Sequence, residues 1–132
     1  MIEIKKFFKK GKFAEYVGIE LLEVEKGKAK SKLEIKEVHL NGIGTVHGGA
    51  IFTLADFTFA VAANSYGVTT VAINANISFM KAARTGTLFA EAEEISINPK
   101  LGTYTITVTD DNGEIIAIFQ GMAYKKRHKI KF

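Results

Sequence analysis

The apolar and polar positions of this chain form three kinds of pattern, and each predicts a different element. Residues Lys28–Lys36 alternate without a break: Ala29, Ser31, Leu33 and Ile35 share one face, while Lys28, Lys30, Lys32, Glu34 and Lys36 share the other. Period two with one charged face predicts a half-exposed strand, and Lys26-Gly27 supplies the turn before it. Ala50–Ala63 is apolar almost throughout and predicts the only long helix, Gly48 to roughly Ser65, with Gly67 suited to its C′ position. Four strand-like runs follow: Thr70–Met80, Gly86–Ile97, Thr103–Thr109 and Glu114–Lys125. In the first of them, Val71, Ile73, Ala75, Ile77 and Phe79 read as one face and Ala72, Asn74, Asn76 and Ser78 as the other. Turn signals at Asn98-Pro99-Lys100-Leu101-Gly102 and Asp110-Asp111-Asn112-Gly113 make the last three runs an antiparallel meander.

Upstream, Met1–Lys12 predicts a short amphipathic helix with Ile2, Phe7 and Phe8 as its apolar contacts, and Tyr16–Glu25 predicts a first strand. Glu37–Val46, which contains Asn41-Gly42-Ile43-Gly44, reads as a loop. The order is therefore short helix, two strands, long helix, four strands. One apolar helix against an antiparallel sheet is an α+β arrangement in which the sheet can wrap the helix. At 132 residues the chain forms a single domain, residues 1–132, large enough for a real core.

Composition narrows the partners. The net charge is +4, but all except two of the 18 basic residues are lysine and they are spread along the chain, a pattern of solubility rather than nucleic-acid reading. The basic end, Lys125-Lys126-Arg127-His128-Lys129-Ile130-Lys131, reads as a solvated terminus or as help for a nucleotide phosphate. There is no cysteine, hence no disulfide and no thiolate chemistry. His39, His47 and His128 lack metal-ligand spacing, so neither a metal nor another cofactor is expected. The Ala50–Ala63 run falls short of the roughly 20 residues that span a bilayer and carries a carboxylate at its middle. The first residues form no signal-peptide core, and a cytoplasmic protein is expected.

That carboxylate, Asp56, is the most informative residue. Burying an unpaired carboxylate costs several kcal/mol in rough terms, so it must be bonded to backbone or Thr53, shifted in pKa, or used. Beside a thioester it would act as general base or nucleophile. Gly48 and Gly49 occupy the first helical turn, where amides lack intrahelical partners and the dipole favours negative charge; they can form an oxyanion hole or simply allow a tight join. Asn41 can add a donor or close an ordinary Asn-Gly turn. His47 can orient Asn41 or play a structural part. Asp56 follows His47 by nine residues, about half a turn round and ~13 Å along the axis, so the two cannot address one small centre from the same helix. Gly49, Thr53, Asp56, Ala60 and Ala63 form a stripe of small residues, while Ile51, Leu54, Thr58 and Val61 form a bulkier stripe suited to the sheet. If Asp56 and the Gly48 amide cooperate, they come from different subunits of a homodimer.

The spacing Asn41, Gly44, His47-Gly48-Gly49, Leu54-Ala55-Asp56 resembles the motif of the hotdog-fold, PaaI-like acyl-CoA thioesterases. The resemblance runs from roughly Phe13 to Lys126 and includes Val71-Ala72-Ile73-Asn74-Ala75-Asn76-Ile77-Ser78-Phe79 with Lys81-Ala82-Ala83-Arg84-Thr85-Gly86. It implies a sheet wrapped around one long central helix, composite sites in dimers, and homotetramers as dimers of dimers. It also implies an acyl-CoA substrate, Asp56 as the catalytic carboxylate, Gly48 as donor to the thioester oxygen, Asn41 holding water and His47 supporting Asn41. Gly49, Thr70, Asn74, Lys81 and Arg84 are the expected substrate contacts, the last two toward the CoA phosphates. The chain departs from several relatives at Ala72, where they carry Ser or Thr; Thr70 and Asn74 are the expected substitutes. Two rival functions share the fold: a non-catalytic acyl-CoA binding or sensing protein, and a hydratase or dehydratase.

Overall fold

The computed structural model describes residues 1–132 as one antiparallel six-stranded sheet curled around a central helix. The strands are β1 (Ile19–Glu25), β2 (Lys28–Glu34), β3 (Val68–Phe79), β4 (Thr87–Ile97), β5 (Leu101–Thr109) and β6 (Ile115–Lys129), in the spatial order β1-β2-β4-β5-β6-β3. Helices α1 (Ile2–Lys9) and α2 (Lys12–Val17) precede the sheet, and α3 (Gly48–Ala63) lies in its concave face. No helix is long and apolar enough to cross a membrane.

Amphipathic period decides what α3 buries. Ile51, Leu54, Thr58 and Val61, the bulkier stripe, are all buried, and Ala55, Phe59 and Ala62 join them against the sheet. Phe59 lies over β6 at Gly121, where a Cβ would come within 2.7 Å of the ring. A glycine there lets helix and sheet approach to aromatic contact distance. The end of α3 is fixed by Asn64, not Gly67. Asn64 is the C-cap, and its side chain donates to Ala60 O (2.8 Å) and Thr70 O (3.0 Å) and accepts from Thr70 N (2.8 Å). Gly67 lies three residues further on, in a left-handed turn at φ +84° that begins β3.

Two further local expectations change. The first strand does not begin at Tyr16: Phe13-Ala14-Glu15-Tyr16-Val17 belongs to α2, which Gly18 ends at φ 97°, a conformation open to glycine. The faces of β3 also differ from simple alternation. Ala72 pairs with Ala123 and Asn74 with Met122, so Ile73 is an extra residue, a bulge. Opposed residues share a face. Past the bulge, Ala75, Ile77 and Phe79 therefore join Thr70 and Ala72 on the inner face, opposite Gly121, Phe119 and Ala117, while Asn74 faces outward with Asn76 and Ser78.

The helices α1 and α2 fold back over the molecule. Ile4 is buried, Lys5 Nζ donates to Leu22 O at 2.9 Å, and the Phe8 ring meets Phe57 of α3 edge-on at 6.1 Å. His39, in the short 3-10 turn Glu37–His39, is the tie: Nδ1 accepts from Lys36 N at 3.0 Å and Nε2 bonds Val17 O at 2.6 Å. With Nδ1 accepting, the proton belongs on Nε2, which donates to the last carbonyl of α2.

Candidate active site

At the start of α3 one backbone amide stands without a partner. His47 is the N-cap, and its Nδ1 accepts from Gly49 N at 2.8 Å. Ala50 N and Ile51 N both reach His47 O, at 2.9 and 3.3 Å. The Gly48 N–H alone has no partner within the chain. It points from the positive end of a sixteen-residue helix, as a donor to a developing oxyanion must. A side chain at 48 would meet the Phe79 ring at 3.1 Å, so glycine is also what lets β3 lie this close.

The other motif residues around this end build the loop. Asn41 Oδ1 accepts from Ile43 N and Thr45 N, each at 3.1 Å, and Nδ2 donates to Thr45 Oγ1 at 2.9 Å. Asn41 therefore closes its own turn, and His47 is bonded to Gly49 rather than to Asn41. The Gly49 amide, expected to meet substrate, is occupied by that cap. Val46 N donates to Ala83 O at 2.8 Å, which brings the segment after β3 beside the helix start. In that segment Arg84 is exposed and free of ion pairs, whereas Lys81 bonds Glu114 closely and lies 3.7 Å from Asp110. The Glu114 contact raises the Lys81 pKa. Thr70 is buried, with its hydroxyl donating to Val68 O at 2.8 Å, so it offers no free hydroxyl beside Ala72. Asn74 cannot replace it either, because the bulge turns it to the opposite face.

Two turns into α3, Asp56 is half-buried and accepts no hydrogen bond and no ion pair. Thr53, the nearest hydroxyl one turn back, is committed to Gly49 O at 2.7 Å. Burial raises the Asp56 pKa, since nothing compensates the loss of water around the charged form. The carboxyl opens onto a groove of about 750 Å³ between α3 and the α1–α2 pair. Phe7, Phe8 and Phe13 form its outer wall, and Phe52 and Phe57 flank Asp56 on the helix. A carboxylate unpaired in an apolar groove is a competent base, because no donor quenches it.

Within one chain the two halves stay apart. The Cα of Gly48 lies against Phe79 of β3, at the first turn of α3, while Asp56, two turns on, faces α1 and α2. The aromatic wall was missed in the sequence; the pairing of Phe7 and Phe8 on one amphipathic turn was its only local signal.

The fold and much of the sequence match known proteins. The thioesterase superfamily matches over residues 43–117, more than half of the chain, including Gly48, Asp56 and all of β3. The chain belongs to the thioesterase superfamily. Its structure is similar to that of the Escherichia coli PaaI protein, with a TM-score of 0.92 and 29% identity over 96% of this chain and 92% of that one. Among curated relatives, the E. coli acyl-coenzyme A thioesterase PaaI is 32% identical over 85% of this chain and 81% of its own length. A 1,4-dihydroxy-2-naphthoyl-CoA hydrolase of Listeria monocytogenes is 31% identical over 87% and 97%. The thioesterase superfamily chain described here thus has the hotdog fold, and hydrolysis of a thioester is its class of reaction.

Proposed function

We propose that this protein hydrolyses acyl-CoA to the free acid and CoA in a site built from two copies of the chain. The observation that carries the reading is Asp56: unpaired, raised in pKa by burial, and open to an apolar groove. As a general base it takes a proton from water attacking the thioester carbonyl; as a nucleophile it attacks that carbonyl itself, and water then releases the acid. In either route the carbonyl oxygen gains negative charge, which the Gly48 N–H of the other copy receives, and the CoA sulfur leaves. The CoA-thioester activities in the names of the two relatives support the substrate class.

The second copy is supported by β3, whose outer edge has no partner strand. Joining two such edges would bring the Gly48 end of one α3 toward the Asp56 face of the other. Arg84, exposed beside the helix start, is the proposed contact for CoA phosphate. A homotetramer of two such dimers, working in the cytoplasm, completes the proposal. The test is a screen of acyl-CoAs with free thiol as readout, followed by mixing Asp56→Ala with Gly48→Pro chains, since proline removes the N–H and suits the first position of a helix. Partial recovery of activity in mixed dimers is expected. Confirmed exchange with no recovery would place each site within one chain.

Ala72 favours one second reading, an acyl-CoA binding protein that does not turn over. No hydroxyl replaces the one some relatives carry, since Thr70 is committed to Val68 O. Tight binding of acyl-CoA with no thiol release would establish it. The hydratase reading lacks a histidine base to pair with Asp56: His47 is committed to Gly49 and His39 to α2.

A further inference from the structure

The N-terminal helices carry aromatic rings that the core does not use. Phe13 is 67% exposed and Phe7 37%, yet both border the concave groove that holds Asp56. Exposed phenyl rings gathered on a concave surface mark a place for an apolar ligand. The volume of about 750 Å³ is one that accommodates a body much larger than an acetyl group. Phe8 and Phe57, which line the groove, pack edge-on against each other across it. Its rim carries Lys10, Lys12 and Lys131, none of them in an ion pair. The surface therefore fits a molecule with an apolar body and a strongly anionic part, the charge pattern of a CoA thioester with a long acyl group.

We infer that this groove holds the acyl chain, and that α1 and α2 select apolar acyl groups of medium length or longer over acetyl. The inference rests on the thioesterase reading: with the thioester carbonyl at Asp56, the acyl carbons run between the Phe7–Phe13 wall and α3. The rim lysines then attract the phosphates by a long-range field that salt weakens. Each methylene sheltered by the wall raises kcat/KM roughly fourfold for as far as the wall extends.

The test compares kcat/KM for acetyl-, butyryl-, octanoyl- and palmitoyl-CoA in the wild type, in Phe13→Ser and in Ile95→Ser, an exposed position on the sheet far from the groove. Binding of the same four thioesters to Asp56→Asn, with and without Phe13→Ser, is measured by calorimetry. The octanoyl-to-acetyl ratio should be well above one in the wild type, fall about tenfold in Phe13→Ser and stay unchanged in Ile95→Ser. Phe13 is exposed, so the fold survives the change. A flat series, or a ratio that Phe13→Ser leaves intact, overturns the groove assignment even if hydrolysis is brisk. Absence of hydrolysis together with chain-length-dependent binding that Phe13→Ser weakens overturns the thioesterase reading and upholds the groove. Absence of both overturns the two together.

Discussion

The two edges of the sheet are built by opposite rules. β1 is short, seven residues, carries Glu20, Glu23 and Glu25, and is kinked by a bulge at Leu22. Helix α1 packs on it, and Lys5 caps the Leu22 carbonyl at 2.9 Å. Charge, a bulge and a cover are the usual defences of an edge strand. β3 has none of the last kind and no charge at all in twelve residues. Ile73 and Phe79 are 54% and 53% exposed on it. A long uncharged edge left bare in a protein that defends its other edge is what the proposed pairing of two copies would use. It also carries Phe79, which packs against Gly48 at the start of α3, so in the proposed dimer assembly and chemistry would share one strand.

Breaking the contrast should have the largest effect. Ile73→Lys with Asn76→Lys charges the β3 edge and is expected to give monomers by light scattering, with thioesterase activity down roughly 10²-fold or more as the oxyanion donor is lost. Glu23→Lys on β1 should change neither. A charged β3 that stays dimeric and active would show that this edge is not the interface. Asp56→Asn sharpens the contrast by leaving both edges intact: kcat should fall about 10²-fold while the oligomer persists. The same change has a sign in stability. The Asp56 pKa is raised in the folded state, so the charged form at neutral pH opposes folding, and that penalty disappears as pH falls through the folded and then the unfolded value. Asp56→Asn should therefore unfold at higher urea than the wild type at pH 7, and the difference should close near pH 4, around the unperturbed value of about 3.9.

Smaller effects belong to the covered side. His39→Ala leaves Val17 O and Lys36 N without their bonds, at a cost of roughly 2 kcal/mol, and hydrogen exchange in residues 12–17 should quicken. Unchanged exchange there would mean that α2 is held by its apolar contacts alone. Lys5→Met removes one partly exposed hydrogen bond and should cost less than about 1 kcal/mol in chemical denaturation.

Much of this was legible in the chain because its signals are local. The Ile51, Leu54, Thr58, Val61 stripe of α3 and the alternation Ala29, Ser31, Leu33 in β2 are face patterns, and each face is buried as the period requires. Asp56 stood out because a carboxylate contradicts its neighbours. The bulge at Ile73 was hidden, since an inserted residue leaves the composition of β3 unaltered and shows only against Ala123 and Met122 of β6. Tyr16 and Val17 favour strands, and only Gly18 after them marks a helix end. The roles of Asn41 and His47 are ambiguous in the sequence for a different reason: the same atoms can serve a turn or a substrate, and in this structure they bond within the loop and the helix cap. The groove needs α1, α2 and α3 together, which no local pattern encodes.

The strand order also sets the timing of folding. β4, β5 and β6 are joined by tight turns and can pair as soon as they are made. Phe79 of β3, by contrast, must find Ala117, and Val68 must find Lys129 near the end of the chain. Closing such long loops is slow, so β3 docks last, after the meander already exists. A ribosome-bound chain therefore holds its uncharged strand without a template until β6 emerges, and aggregation competes with folding during that interval.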